Sequence, residues 1–227
     1  MKFVNIHTHF FLEKGHKGLI NQPLQNSFVP VKGLYYSVGL HPWSIDKIKD
    51  TAWIKRLKEL SDHPQVVGIG ECGLDRSITT SIDLQKKFFI SQLEIAEEKK
   101  LPVIIHAVHT YSDLLEINKK QHSSVPWILH GYKGNSETTK QLLRRNFYFS
   151  FGESLLKDQA KLNNSLLKIP LKKMFFETDE SSVPIESIYT FASNLLNKNL
   201  EELNKIVLNN FNCMFAKISG NSGMTKY

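Results

Sequence analysis

The chain has 227 residues, 41% hydrophobic and 22% charged, the balance of a globular domain with one sizeable core and too long for a disulfide-stapled mini-protein. A net charge of +7 and a pI near 9.2 come from scattered lysines, often paired as at Lys86-Lys87 and Lys172-Lys173, a solvated surface with a lean towards polyanions such as nucleic acid. No segment reaches membrane-spanning length, MKFVNIHTHF is no signal peptide, and Cys72 and Cys213 make no disulfide framework. The expectation is a single domain over 1–227, in a reducing cytoplasm, with no membrane and no obligate protein partner.

Short apolar, β-branched runs alternate with stretches of helical period, the mark of a parallel α/β fold. In chain order the predicted strands are Phe3–His9, Gly18–Gln22, Leu34–Leu40, Val66–Glu71, Pro102–His106, Pro126–His130, Phe147–Ser150 and Lys173–Glu177. Helices are predicted over Thr51–Asp62, Ile82–Lys99, Ser112–Lys119, Ser136–Arg145 and Ser154–Leu167, then Ile185–Asn197 and Leu200–Cys213 after the last strand. Eight strands with intervening helices predict an α/β (β/α)8 TIM barrel, and the stretch from Phe10 to Leu34 is too short for a full second unit. Leu84, Phe88, Leu93 and Ile95 read as the core-facing side of their helix.

The chemistry-bearing residues fall at or just past strand ends: His7 and His9, His41, Glu71 with Asp75, His106, His130 and Asp179. A barrel brings those ends to one mouth. Residues two apart share a strand face, so His7 and His9 project the same way and can hold one ion; Glu177 and Asp179 repeat that spacing. Imidazoles and carboxylates are ligands for zinc and related divalent ions, and this set exceeds what one tetrahedral site needs. The surplus points to two metals, with Glu71 suited to bridge them.

Each histidine alone also admits a structural reading, which is applied to His16, His63, His109 and His122. Gly68, Gly70 and Gly73 lack phosphate-loop spacing and read as close packing near a strand end. Cys72 reads as a small buried thiol.

These motifs resemble those of the TatD family of metal-dependent deoxyribonucleases, within the metallo-dependent amidohydrolase superfamily. The matching stretches are NIHTHF at 5–10, VGLHPW at 38–43, VGIGECGLD at 67–75, LPVIIHA at 101–107, ILHGYKG at 128–134 and FFETDE at 175–180. The resemblance implies two divalent ions, zinc, manganese or magnesium. It makes His7 and His9 first-strand ligands, Glu71 the shared carboxylate, and His106 and His130 ligands of the second ion. Asp179 approaches the first ion and orients or deprotonates the attacking water, and His41 lies near the scissile phosphate. Asp75 is expected to hold its loop rather than a metal.

The implied activity is a DNase, 3′–5′ exonuclease-like, acting on single strands or 3′ ends. His41 with Lys133 or His109 would hold phosphate oxygens, and Trp43 or Tyr132 would stack a base. The chain departs from the family at Asn5, where many members have Asp, at Val108, where many have Arg, at HGYKG in place of HCFSG, and in lacking the long basic loop after ETD. Those departures keep an alternative open: a metal-dependent small-molecule phosphatase, phosphodiesterase or amidase on the same site.

Overall fold

The computed structural model describes residues 1–157 and 159–215. Eight parallel strands lie in sequential order: β1 (Val4–Thr8), β2 (Lys17–Pro23), β3 (Tyr35–Gly39), β4 (Val66–Asp75), β5 (Val103–Val108), β6 (Trp127–Leu129), β7 (Phe147–Phe151) and β8 (Met174–Phe176). The barrel meets itself just beyond β8, where Thr8 and Asp179 form a parallel bridge. There the His9 amide donates to the Asp179 carbonyl (3.1 Å) and the Asp179 amide to the His7 carbonyl (3.0 Å).

The helices are α1 (Ala52–Ser61), α2 (Ile82–Lys99), α3 (Tyr111–Gln121), α4 (Ser136–Leu143), α5 (Ala160–Leu166), α6 (Ile185–Leu195) and α7 (Leu200–Met214). Strands packed on both faces explain their near-continuous apolar runs: Ile6, Leu19, Val38, Ile69, Ile104 and Ile128 are all fully buried. Helix ends follow local chemistry. Ser81 accepts from the Leu84 amide to start α2, and Asn135 accepts from the Thr138 amide to start α4.

The predicted barrel is present, including the trimmed second unit, because neither connection flanking β2 contains a helix. Three local expectations are corrected. Strand β4 continues past Glu71 to Asp75, since after a register shift Cys72–Asp75 pair with Ile105–Val108. The helix expected over 154–167 is a 3-10 turn at Glu153–Lys157 followed by α5; the expected span includes Asp158, which lies outside the described residues.

The core face of α2 is the third correction. It comprises Gln85, Phe89, Gln92, Leu93 and Ala96, with Ile95 also buried and Leu84 exposed. The two glutamines are inside because they bond backbone: Gln85 accepts from the Asp75 amide and donates to the Asp75 and Thr80 carbonyls, and Gln92 bridges the Leu40 amide and carbonyl.

Candidate metal centre

Backbone shape places Glu71 at the centre of the mouth. Gly70 and Gly73 both adopt positive φ, +137° and +148°, and a Cβ at either would strike the β5 backbone at Ile104 or His106. Strand β4 therefore lies close against β5, and Glu71 is 5% exposed.

The two oxygens of Glu71 face different partners. Oε2 lies 3.4 Å from His7 Nε2 and 3.6 Å from His9 Nε2. Oε1 lies 2.8 Å from His106 Nδ1, 2.7 Å from His130 Nε2 and 3.2 Å from His41 Nε2. Asp179 Oδ1 completes the first side, 3.3 Å from His7 Nε2 and 3.4 Å from His9 Nε2. At the mouth, ligand-type atoms fall into three overlapping triads, His7–His9–Asp179, His7–Glu71–His130 and His41–Glu71–His106, while Glu13, His16 and Glu186 form a separate group elsewhere.

These residues fit divalent cations. His7 is completely buried, and neither ring nitrogen has a hydrogen-bond partner, an expensive state for a polar group that a cation at its lone pair would relieve. Charge on the metal-free residues tells the same story. Burial works against a charged His7, as does His130, but the nearby Asp179 and Glu71 carboxylates prevail and raise its pKa from 6.5 to about 9. His130 is raised despite its burial by Glu71 and Glu177. Glu71, despite burial, is held far below the usual carboxylate range by His130, His106 and His41. Asp179 is likewise lowered against its burial by His7. Protons on the imidazoles stand where cationic charge is wanted.

Two carboxylates outside the predicted ligand set orient two of the candidate ligand rings. Asp75 Oδ2 lies 3.1 Å from His106 Nε2, leaving Nδ1 to face Glu71. Wholly buried Glu177 accepts from the Gly131 amide and lies 3.4 Å from His130 Nδ1, leaving Nε2 to face Glu71. Carboxylate–imidazole pairs of this kind fix ring orientation and basicity in metal sites. Asp75 also accepts from the Trp43 indole (2.7 Å) and from Ser77, and these bonds with that to His106 outweigh desolvation and pull its pKa down to about 2.

Asn21, absent from the sequence-derived set, accepts from the Glu71 amide (2.9 Å) and lies 3.2 Å from His9 Nε2. A polar Asn in the apolar run GLINQ is the signal that marks it.

His41 differs from its neighbours. Its Nδ1 accepts from the Trp43 amide (3.2 Å), so a neutral ring carries its proton on Nε2, directed at Glu71. Burial pushes its pKa down, favouring that neutral donor form.

Of the expected substrate contacts, Trp43 is 61% exposed beside His41, while His109 and Lys133 line a cleft of about 550 Å³ that opens beside His106, His130 and Asp179. Tyr132 is a correction. It is wholly buried, its hydroxyl paired with Thr139 Oγ1 (2.8 Å) and its ring packed on Phe149, so it anchors its loop in the core and has no face free to stack a base. The remaining histidines are otherwise engaged: His16 pairs with Glu186, His63 packs edge-on against Phe28, and His122 ends α3 in a left-handed turn.

The family model described as TatD related DNase matches residues 26–216. The chain belongs to the TatD family. Among curated TatD-type relatives, the chain is similar to the uncharacterized metal-dependent hydrolase YabD of Bacillus subtilis, 38% identical over 153 residues, covering 64% of this chain and 58% of that protein. It is also similar to the uncharacterized metal-dependent hydrolase YjjV of Escherichia coli K12, 27% identical over 155 residues, covering 67% and 60%. The matched region thus spans about three-fifths of these relatives.

In three dimensions the TatD homologue YjjV from Escherichia coli K12 superposes with a TM-score of 0.83 at 21% identity, covering 94% of this chain and 98% of that one. A TatD family hydrolase from Entamoeba histolytica gives 0.79 at 18%, with the same coverage. Both show that the barrel is the TatD fold.

Proposed function

We propose that this TatD-family chain is a divalent-metal-dependent hydrolase that cleaves phosphodiester bonds, a DNase working inward from the 3′ end of a single strand. The division of Glu71, with Oε2 towards His7 and His9 and Oε1 towards His106 and His130, carries the reading, because one carboxylate facing two separate imidazole pairs suits a pair of ions. His7, His9 and Asp179 would hold the first ion, His106 and His130 the second, and Glu71 both. Bound there, zinc, manganese or magnesium would supply an activated water and neutralise phosphoryl charge.

The protein's own groups supply the rest. Asp179, kept ionised, accepts from the attacking water, orients it and takes its proton as the new P–O bond forms, while the P–O bond to the remaining strand breaks and the displaced 3′ oxygen leaves as a hydroxyl after receiving that proton. His41, whose Nε2 proton is directed at Glu71 in the metal-free site, would turn it to a phosphoryl oxygen once Glu71 holds the ions. Asp75 and Glu177 keep the rings of His106 and His130 turned towards the reaction. Trp43, fixed by its indole bond to Asp75, presents an exposed face for a base. The DNA preference draws on the family description, and cytoplasmic residence on two unpaired cysteines.

The small-molecule reading draws on a specific observation. Helix α6 begins at Ile185, directly after the turn that follows Asp179, and among the described residues no arginine lines the clefts at the mouth: Arg76 is bound to Asp113 and Arg56 to the Leu24 and Asn26 carbonyls.

The deciding experiment supplies magnesium, manganese or zinc to metal-stripped protein and follows nucleotide release from end-labelled single-stranded DNA, with Asp179→Asn beside it. Metal-dependent release from the 3′ end that the variant loses is expected. Intact DNA under every metal, with bis(4-nitrophenyl) phosphate still cleaved, would assign a small phosphodiester instead.

A further inference from the structure

The 550 Å³ cleft beside the metal centre runs from His106, His130 and Asp179 past His109 to Lys133 and Lys161, with Asn135 and Thr138 on its wall. Asp179 is the one carboxylate in that lining among the described residues. Neither lysine has an ion-pair partner among the described residues, whereas lysines on the outer helices, such as Lys86 with Asp113 and Lys198 with Glu202, do.

The loop is built to aim Lys133 outward. Tyr132 is driven into the core and bonded to Thr139, a Cβ on Gly134 would overlap the Tyr132 hydroxyl, and the Lys133 amide is tied to the Tyr111 hydroxyl at 3.2 Å. Lys133 is therefore exposed on a pinned backbone, and Lys161 reaches the same cleft from the first turn of α5.

From this convergence we infer that the cleft is a second phosphate subsite, in which Lys133 and Lys161 hold a backbone phosphate of the strand next to the one being cleaved. It rests on the phosphodiesterase reading above and assigns to two lysines the charge that no arginine supplies. Two ammonium groups facing one cleft repel each other and attract polyanions, and strand binding through them releases condensed counterions. A substrate with a single phosphate uses the metal centre alone.

The test uses the manganese-loaded protein with all ligands intact and fluorescein-labelled (dT)10 whose 3′-terminal linkage is an uncleaved methylphosphonate, and measures binding by anisotropy across a salt series. With Lys133→Gln and Lys161→Gln added, Kd is expected to rise roughly tenfold and the slope of log K against log salt to shrink by about 0.7, the value for one single-strand phosphate contact. Lys133→Arg with Lys161→Arg should restore both, which a folding defect would not permit. Unchanged Kd and slope in the Gln variant, or no strand binding by the parent, would overturn the subsite.

Thymidine 5′-monophosphate and inorganic phosphate serve as competitors. Displacement of (dT)10 by either as effectively as by unlabelled strand would overturn the strand assignment in favour of a single phosphate group. A strand held through the lysines yet cut under no metal would sink the proposed hydrolysis while leaving the subsite in place.

Discussion

Glu177 was visible in the sequence only as half of an E-x-D spacing, yet it is the buried partner of His130. Glu177→Gln should retain the bond from the Gly131 amide but weaken the hold on the imidazole, lowering metal affinity by about 10–100-fold in a chelator-competition titration. Glu71→Ala or His106→Ala should leave the barrel folded by circular dichroism but abolish metal loading and turnover; normal activity in either would exclude the two-ion arrangement.

Proton competition gives a pH signature. His7 in the metal-free protein is raised from 6.5 to about 9, so its stabilising contribution is complete below 6.5 and lost as pH climbs through 9. A cation needs the unprotonated ring and binds more tightly over that same interval. Melting temperatures of metal-free and manganese-loaded protein should therefore diverge as pH rises from 6.5 to 9, and parallel curves would count against His7 as a ligand.

The ligand-type residues were legible because each falls beside a strand end, which a parallel barrel gathers automatically. Asn21, and the bonds by which Asp75 and Glu177 turn particular ring nitrogens, were not, since which nitrogen faces which carboxylate is decided across strands. Tyr132 was misread because a loop residue between glycines looks like surface until the loop is seen to fold its aromatic ring inward.

At the level of elements, the strand order and most helices follow from periodicity, and misreadings occur where polar side chains serve the backbone. Buried Gln85 and Gln92 break the apolar stripe of α2 and shift its inner face away from Leu84. The extension of β4 to Asp75 depends on a register shift that no single strand encodes. The loop between β6 and α4 makes a sharper test. Tyr132→Phe removes one buried hydroxyl bond, a loss of about 1 kcal/mol, whereas Tyr132→Ala empties an aromatic site and should cost about 3–5 kcal/mol. Urea denaturation distinguishes them. Equal and negligible effects would contradict the anchoring of this loop.

For the whole molecule, a ligand that binds only the folded state stabilises by mass action, by about 2.7 kcal/mol at a hundredfold excess over Kd. At roughly 2–4 °C per kcal/mol for a domain of this size, chelation should lower the melting temperature by about 5–10 °C. A transition insensitive to chelator would mean that the mouth holds no structural cation.

The bridge between Thr8 and Asp179 joins the first strand to the segment following the last, and Asn5 reinforces it: its amide donates to Thr178 Oγ1 (2.8 Å) and its carbonyl accepts from the Thr178 amide (3.1 Å). An ionised Asp at that position would lack the donor. His7 and His9 lie on the first strand, but the carboxylate beside them follows the last, so the two are brought together only once the barrel closes. On the proposed assignment, metal capture by His7, His9 and Asp179 would follow barrel closure, and the ion would act as a rivet across the seam between β1 and the segment after β8. Amide hydrogen exchange at His9 and Asp179, whose N–H groups span that seam, should slow when metal is added, while exchange between β4 and β5 changes little.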